Sequence, residues 1–105
     1  MSTVVPLEEL ADEIAKRGAG YLLTTTADSR PHILHLNFAV DGTELRVEVG
    51  RSARINIGAQ PAVSILWPAQ ATDEYSLIVD GTATISYEAT AVIIATGAVL
   101  HRPAP

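Results

Sequence analysis

The sequence predicts a small, mainly β barrel of six strands with two short helices, folded as one domain over residues 1–105. Three observations support this fold class. From residue 20 onward, apolar and polar residues alternate with a period of two in several segments. Turn-forming residues separate these segments, as at residues 28–31 and at Asp41-Gly42. Residues 6–17 carry apolar side chains at helical spacing instead.

The chain is rich in apolar residues and acidic overall. Hydrophobic residues make up 48% and charged residues 18%, which excludes a disordered chain. The net charge of -5 argues against binding to nucleic acid, and the absence of cysteine excludes disulfides and cysteine-ligated metals. So much apolar content in a small domain predicts a homodimer. The sequence has no signal-peptide pattern and no apolar run long enough to span a bilayer, so we expect a cytoplasmic location.

The first helix is predicted at residues 6–17, because Leu7, Leu10 and Ile14 share one face and Gly18 is a natural stop. We expect this helix to plug one end of the barrel. Strands are predicted at residues 20–27, 32–40 and 43–49. In the second strand the alternation places leucines, a phenylalanine and a valine on one face. The hairpin turn Asp41-Gly42 joins the second strand to the third.

The second half of the chain adds one helix and three strands. A short helix is predicted at residues 51–58, with Ser52 as its N-cap. Strands are predicted at residues 62–67, 75–87 and 90–100, and the fifth strand is expected to bend or bulge at Asp80-Gly81. Residues 101–105 read as a tail that cannot continue a strand. Six strands in meander order predict a closed or half-closed barrel.

A basic cluster follows the third strand directly. Arg51, Ser52 and Arg54 surround the start of the short helix, after Gly50. The free N–H groups of a helix start, a hydroxyl and two guanidinium groups suit a phosphate well. The alternative is an ordinary helix cap with two solvated arginines, and the spacing by itself supports both readings.

Polar side chains on the first two strands form a second candidate. His35 and Asn37 are two residues apart, so both point to one face of their strand. A flat polar ring stacked on that face could be bound by them, by hydroxyls of the neighbouring strand at Thr24 and Thr26, and by His32 near the strand start. The alternative is a polar face that meets water. The three histidines of the chain lack metal-ligand spacing, so we expect no metal site.

The order of these segments is similar to that of the pyridoxamine 5'-phosphate oxidase-like family, whose members are FMN-binding split β-barrels and include deazaflavin-dependent reductases. The resemblance covers residues 20–81. It is carried by the run GYLLTTTADSRPHILHLNFAVDGTELRVEVGRSARINIGAQPAVSILWP, and most of all by its last part, RSARINIGAQPAVSILWP. No single short motif is diagnostic, and the ordered set of segments carries the match.

The resemblance implies a homodimer with cofactor sites at the subunit interface. The cofactor implied is FMN, or alternatively a deazaflavin coenzyme, lying against the strand segments 22–26 and 32–37. By position, Ser52 and Arg54 would hold the phosphate with Arg51 beside them, and Trp67 would lie close to the interface.

The function implied is that of a flavin- or deazaflavin-dependent oxidoreductase. Pyridoxamine phosphate oxidation itself is not expected, because only His32 and His35 could replace the basic residues of the true oxidases on the second strand, and because their C-terminal arginine extension has no counterpart here. No catalytic residue is assigned, although His35 is the best candidate acid or base because histidine titrates near neutrality. The alternatives are a non-catalytic dimeric barrel that binds flavin, deazaflavin or heme, and a barrel without a cofactor.

Overall fold

A computed structural model describes residues 1–103 of the chain. Within these residues one antiparallel sheet of eight strands curls into a half-barrel, accompanied by two α-helices. The elements in chain order are β1 (Ser2–Val4), a 3-10 turn (Leu7–Glu9), α1 (Leu10–Ala15), β2 (Gly20–Thr25), β3 (Pro31–Leu36), β4 (Ala39–Asp41), β5 (Glu44–Glu48), α2 (Arg51–Ala59), β6 (Ala62–Trp67), β7 (Ser76–Ile85) and β8 (Thr90–His101).

The strand order in the sheet is β3-β2-β6-β7-β8-β5-β4, and β1 pairs with the last part of β8. The long strand β8 pairs with β7 along one side, and with β5 and then β1 along the other. The predicted mainly β class with two short helices is therefore confirmed. The described chain has eight strands rather than six, however, and their order is not a meander.

The predicted second strand is two strands at opposite edges of the sheet. β3 pairs with β2, whereas β4 pairs with β5 at the far edge. The chain crosses between them at Asn37 and Phe38, and the Phe38 ring meets the Trp67 ring edge-on with 5.5 Å between centroids. Inward-facing residues continue through this break, because Leu34, Leu36, Phe38 and Val40 all pack against the core. Because the alternation is unbroken, the sequence pattern does not indicate that the chain moves from one edge of the sheet to the other.

The short strand β1 was not predicted. It pairs with the end of β8, where His101 is still part of the strand, so the prediction of a tail starting at residue 101 is wrong for that residue. The amino group of Met1 donates to the carbonyl oxygen of Arg102 at 2.8 Å, which continues the pairing beyond the strands. Residues 104 and 105 of the predicted tail lie outside the described residues.

The core lies inside the curled sheet and is closed by the two helices. Its fully buried side chains include Trp67, Leu10, Leu22, Leu45, Ile65, Leu77, Ile93 and Val79. α1 contributes Leu10 and Ile14, as its spacing predicted, and α2 contributes Ala53 and Ile57. The N-cap of α2 is Gly50 and not Ser52, because the helix begins at Arg51, two residues earlier than a cap at Ser52 would require.

The predicted irregularity at Asp80-Gly81 is confirmed as a β-bulge between β7 and β8. Asp80 pairs with Gly97 and Gly81 pairs with Ala95, so Thr96 is the extra residue and lies on β8. A Cβ atom on Gly81 would lie 2.7 Å from the backbone oxygen of Ile94, so the strands approach closely here. Among the described residues, no helix is long and apolar enough to cross a membrane.

Candidate functional site

The start of α2 presents two arginines to solvent or to a ligand. Arg51 is exposed and Arg54 is half-buried, and the Arg54 Nη1 atom donates to the carbonyl oxygen of Val49 at 3.4 Å. Within residues 1–103, neither guanidinium forms an ion pair, and the first turn of α2 contains no acidic residue. Ser52 is exposed in that same turn. The structure therefore brings these three residues together at a helix N-terminus, which is an arrangement suited to an anion.

A second group lies on the outer face of the sheet, on β3 and β2. The ring of His35 stacks on that of Tyr21 with 4.4 Å between centroids and 11° between planes. These residues are direct partners in the β2–β3 register, so the stack is a cross-strand pair. Asn37 is exposed just beyond β3 and lines an open groove of about 600 Å³ with Phe38 and the β5 residues. His35 and Asn37 are thus accessible to a ligand from outside the barrel.

A third group lies on the opposite, inner face of the same strands. Thr24 is 2% exposed and pairs in register with His32, which is half-buried. The Asn56 Nδ2 atom, on α2, donates to the Thr24 Oγ1 atom at 3.1 Å. The Nδ1 atom of His32 is buried and has no hydrogen-bond partner in the described chain. Thr24 and His32 therefore cannot share a stacking face with His35.

The remaining two candidates are committed to the structure itself. Thr26 donates to the Asp28 Oδ1 atom at 2.6 Å and accepts from the backbone N–H of Arg30, so its hydroxyl holds the turn after β2. The hydrogen bond from Thr26 also lowers the pKa of Asp28 below its usual value. Trp67 is 1% exposed, and its Nε1 atom donates to the Gly18 carbonyl oxygen at 2.9 Å. Trp67 is a core residue.

The nine sequence-predicted residues therefore occupy separate places in one chain. Arg51, Ser52 and Arg54 meet at the start of α2, while α2 itself packs on β2 and β7 and reaches the inner side of the sheet through Asn56. His35 is on the outer side of the sheet. A ligand bound by both His35 and the arginines of one chain would have to pass around an edge of the sheet. The alternative is a binding site formed by His35 of one subunit and the arginines of another.

Two residues near the candidate site were missed by the sequence analysis. Tyr21 lies beside His35 only because of the β2–β3 register, which alternation alone does not specify. Asn56 is 6% exposed between the buried Ala53 and Ile57, so it is a polar residue on the core-facing side of a helix. The sequence contains a signal for this position, because a residue three after Ala53 lies on the same face of a helix as Ala53.

The outer face of the sheet carries a continuous row of cross-strand partners with little charge. We call it the outer row, and it links His35, Tyr21, Leu66, Ile78, Val99 and Val4. Val4 is 76% exposed, and the neighbouring Ile33 on β3 is 57% exposed. A row of aromatic and apolar side chains across six strands is suited to contact with another protein surface.

A groove of about 420 Å³ opens on the same outer face, across β2, β6, β7 and β8. Its polar lining includes Thr25, Ser64, Thr82 and Thr96. The charged residue of this groove is Asp80, which accepts a hydrogen bond from the Ser64 hydroxyl at 2.6 Å. A carboxylate at this position disfavours a phosphate there. Among residues 1–103, no group of three or more His, Cys, Asp or Glu side chains could hold a metal ion.

Solved structures with the same fold are numerous, although no family model and no curated protein matches the sequence. A candidate pyridoxamine 5'-phosphate oxidase from Listeria innocua superposes with a TM-score of 0.74 at 16% identity, covering 90% of this chain and 96% of that one. An FAD-binding protein from Mycobacterium smegmatis has a TM-score of 0.70 at 21% identity, covering 97% and 100%. The chain has the split-barrel fold of the pyridoxamine 5'-phosphate oxidase-like proteins.

Other structures with this split-barrel fold differ in what they bind. An F420 reductase has a TM-score of 0.69 at 21% identity and covers 83% of this chain and 94% of its own. The heme storage protein HutZ from Vibrio cholerae has a TM-score of 0.64 at 16% identity, covering 89% and 91%. The split barrel is therefore shared by proteins with different ligands, and the residues of this chain must decide its function.

Proposed function

We propose that the protein binds a flavin-type cofactor, FMN or a deazaflavin coenzyme, and acts as an oxidoreductase. The observation that carries the proposal is the pair of guanidinium groups at the start of α2, on a fold shared with an FAD-binding protein and an F420 reductase. Both cofactors proposed carry a phosphate, and a phosphate needs positive charge that is not already neutralised.

The residues at the start of α2 fit a phosphate on three counts. The backbone N–H groups of the first turn have no partner within the helix. The dipole of this nine-residue helix favours a negative charge at the same end. Arg51 and Arg54 add positive charge, and within residues 1–103 neither of them forms an ion pair with a carboxylate. Ser52 is exposed in the same turn and can donate a hydrogen bond.

We propose that the protein is a homodimer, with cofactor sites at the subunit interface. The outer row supports this part of the proposal, because it lines six strands with apolar or aromatic side chains. Val4 in this row and Ile33 beside it are both more than half exposed. A second copy would remove this apolar surface from water, at roughly 25 cal/mol for each Å² buried. In a dimer, the His35–Tyr21 stack of one subunit and the arginines of the other subunit could also contact the same ligand.

A bound flavin or deazaflavin would supply the hydride chemistry. The protein would supply binding through Arg51, Ser52 and Arg54, and orientation of the ring system through His35 and Asn37. Stacking on Tyr21 fixes the plane of the His35 ring, so this imidazole presents its edge nitrogens in a defined direction. His35 is therefore the residue best placed to hold or donate a proton at a ligand.

A second candidate function is non-catalytic binding of heme or of a flavin. The heme storage protein HutZ shares the split-barrel fold, and His35 is an exposed histidine that a metal porphyrin could use as a ligand. The arginines at α2 fit the phosphate of a flavin-type cofactor, but guanidinium groups also bind carboxylates such as the propionates of heme, so the choice between the two functions depends on titration.

Titration with each cofactor separates these functions. We expect FMN or the deazaflavin coenzyme to bind with a change in its visible absorption, and NAD(P)H or a reduced deazaflavin to reduce the bound flavin. A strong Soret band with heme and no change with either flavin would instead favour the heme-binding alternative. Absence of binding to all three would reject both cofactor-binding functions.

The phosphate site is tested by the double variant Arg51→Ala/Arg54→Ala. Two lost charge-assisted hydrogen bonds of about 1.5 kcal/mol each would weaken binding of a phosphate-bearing cofactor by about 100-fold. The matched control is Lys16→Ala/Arg30→Ala, which removes the same charge from two exposed side chains paired with Glu13 and Asp28. Equal affinity of the test and control variants would contradict the phosphate assignment.

The dimer is tested by Ile33→Asp in sedimentation velocity. A carboxylate placed beside the outer row should convert a dimer to a monomer, because burial of an unpaired charge is strongly unfavourable. The control is Ile55→Asp, whose isoleucine is equally exposed, 58% against 57%, but lies on α2. A wild-type monomer, or a dimer that persists in Ile33→Asp, would refute the proposed interface.

A further inference from the structure

The outer face of the sheet carries a single carboxylate. The outer row is built by strands β1, β2, β3, β6, β7 and β8, and within these six strands the only Asp, Glu, Lys or Arg residue is Asp80. The chain as a whole has 12 acidic and 7 basic residues, and the others lie on the helices, on β4 and β5, and in the connecting or terminal segments. A lone carboxylate on an otherwise uncharged face bears directly on what can cover that face.

Asp80 lies in the row of cross-strand partners next to the outer row. It follows Ile78 of the outer row by two residues on β7, so both side chains point outward. Its partner on β6 is Ser64, and the same row continues through Leu23 on β2 to Ile33 on β3. A molecule that covers the outer row together with Ile33 therefore also covers Asp80.

The carboxylate of Asp80 has a hydroxyl partner and no cation. Its Oδ1 atom accepts from the Ser64 hydroxyl at 2.6 Å, and Asp80 forms no ion pair within residues 1–103. The two strands packed on either side of it, β6 and β8, contain no Asp, Glu, Lys or Arg. The other titratable side chains of the outer face are Tyr21, His35 and His101. In the free subunit Asp80 is exposed, so water solvates its charge.

A second copy of the chain brings no new cation to this face. A twofold dimer uses the same patch on both subunits, so an outer face without Lys or Arg meets another one without Lys or Arg. Arg30, in the turn between β2 and β3, is already paired with Asp28 at 3.1 Å. Covering an ionised carboxylate that has no cation is strongly unfavourable. The neutral acid costs much less to cover, because it keeps its hydrogen bond with Ser64 and carries no charge.

We infer that self-association through the outer face takes up protons at Asp80. The free subunit carries the ionised carboxylate in water, and the dimer carries the neutral acid beside Ser64. By linkage, acidification favours the dimer and a rise in pH dissociates it, with at most one proton taken up by each subunit. The inference rests on the proposed homodimer and describes how that dimer is regulated.

The test is sedimentation velocity over a concentration series at pH 5.5 and pH 7.5. We expect the dimer dissociation constant of the wild-type protein to be at least about tenfold lower at pH 5.5. Asp80→Asn keeps the size of the side chain and an acceptor for Ser64 but removes the charge. We expect this variant to dimerise at least about tenfold more tightly than the wild-type protein at pH 7.5, and to lose the pH dependence. The control is Asp12→Asn, which removes the same charge from an exposed residue of α1 and should behave as the wild-type protein does.

The possible outcomes separate the inference from the proposed dimer. A wild-type dimer of equal affinity at both pH values, or a pH dependence that persists in Asp80→Asn, would overturn the inference and leave the homodimer standing. A weaker dimer in Asp80→Asn would also overturn it, because the carboxylate would then be paired with a cation of the other subunit, such as a protonated His35 or His101. Monomers at both pH values, for the wild-type protein and for a variant that circular dichroism shows to be folded, would refute the homodimer and the inference together.

Discussion

The contact between Gly20 and Trp67 allows a quantitative test of the core. A Cβ atom on Gly20 would lie 2.8 Å from the Trp67 Cε2 atom and 2.9 Å from its Nε1 atom. Trp67 cannot retreat easily, because it is 1% exposed, donates to the Gly18 carbonyl oxygen and contacts the Phe38 ring. We therefore predict that Gly20→Ala destabilises the protein by displacing the indole.

The magnitude follows from three contributions. Overpacking of a filled core costs about 1–3 kcal/mol. Tilting the indole away from Gly18 removes a hydrogen bond worth about 0.5–1.5 kcal/mol. Alanine also lowers the conformational entropy of the unfolded chain relative to glycine, and this offsets about 0.4–1 kcal/mol of the destabilisation. The expected net loss is about 2 kcal/mol in the free energy of unfolding, or roughly 10 °C in the melting temperature of a domain of this size.

The assay is urea unfolding followed by tryptophan fluorescence, at one fixed protein concentration. Trp67 is the single tryptophan of the sequence, so its emission reports directly on the residue that must move. Gly18→Ala is the matched control, because a Cβ there has no heavy atom within 4 Å. Replacement of Trp67 by the smaller Phe should recover part of the loss in the double variant, which is measured by circular dichroism.

Equal stability of Gly20→Ala and Gly18→Ala would refute this reasoning. It would mean that the indole moves without cost, and therefore that the core around Trp67 is loosely packed. A full loss that persists in the Trp67→Phe background would also contradict it, because the cost would then come from the backbone of β2 and not from the indole.

Three further predictions concern stability alone and are measured by the same unfolding assay. Gly58→Ala should stabilise the protein by about 1 kcal/mol, since this α2 glycine has open space around it and alanine is the better helix former. Gly81→Ala should destabilise the protein by about 1–3 kcal/mol, because the new Cβ would lie 2.7 Å from a backbone oxygen of β8. Burial raises the pKa of Glu13, but hydrogen bonds from Lys16 and Arg17 outweigh this effect and lower it overall. A carboxyl group whose pKa is lowered by folding stabilises the protein above its ordinary pKa, and this stabilisation is lost as the pH falls through the folded-state pKa. Glu13→Gln should therefore reduce the loss of unfolding free energy on acidification. An unchanged dependence of the unfolding free energy on acidic pH would contradict the pairing.

The sequence allowed much of the fold to be predicted, because alternation and helical spacing are local signals. β6 was predicted at its observed bounds, Ala62–Trp67, and the bulge at Asp80-Gly81 was located by its glycine. The edge change at Asn37 was not predictable, because alternation specifies which face a side chain takes and not which strand lies beside it. β1 was missed since three residues are too few to show a period.

The candidate site was predicted in part, for the same physical reason. Arg51, Ser52 and Arg54 are neighbours along the chain, so a helix start is enough to bring them together. The polar residues of β2 and β3 depend on register, and the sequence analysis combined Thr24 from the inner face with His35 from the outer face. Alternation within each strand was correct, but the faces of two strands can be matched only when their register is known.

The separation of β3 from β4 has a consequence for how the chain folds during synthesis. The hairpins β2–β3 and β4–β5, both made early, become the two edges of the sheet. The strands that join them, β6, β7 and β8, are made after both hairpins and form the middle. The first half of the chain therefore cannot close its core until the second half has left the ribosome. We expect slow folding, in milliseconds to seconds, with two apolar edge hairpins exposed until the centre of the sheet arrives.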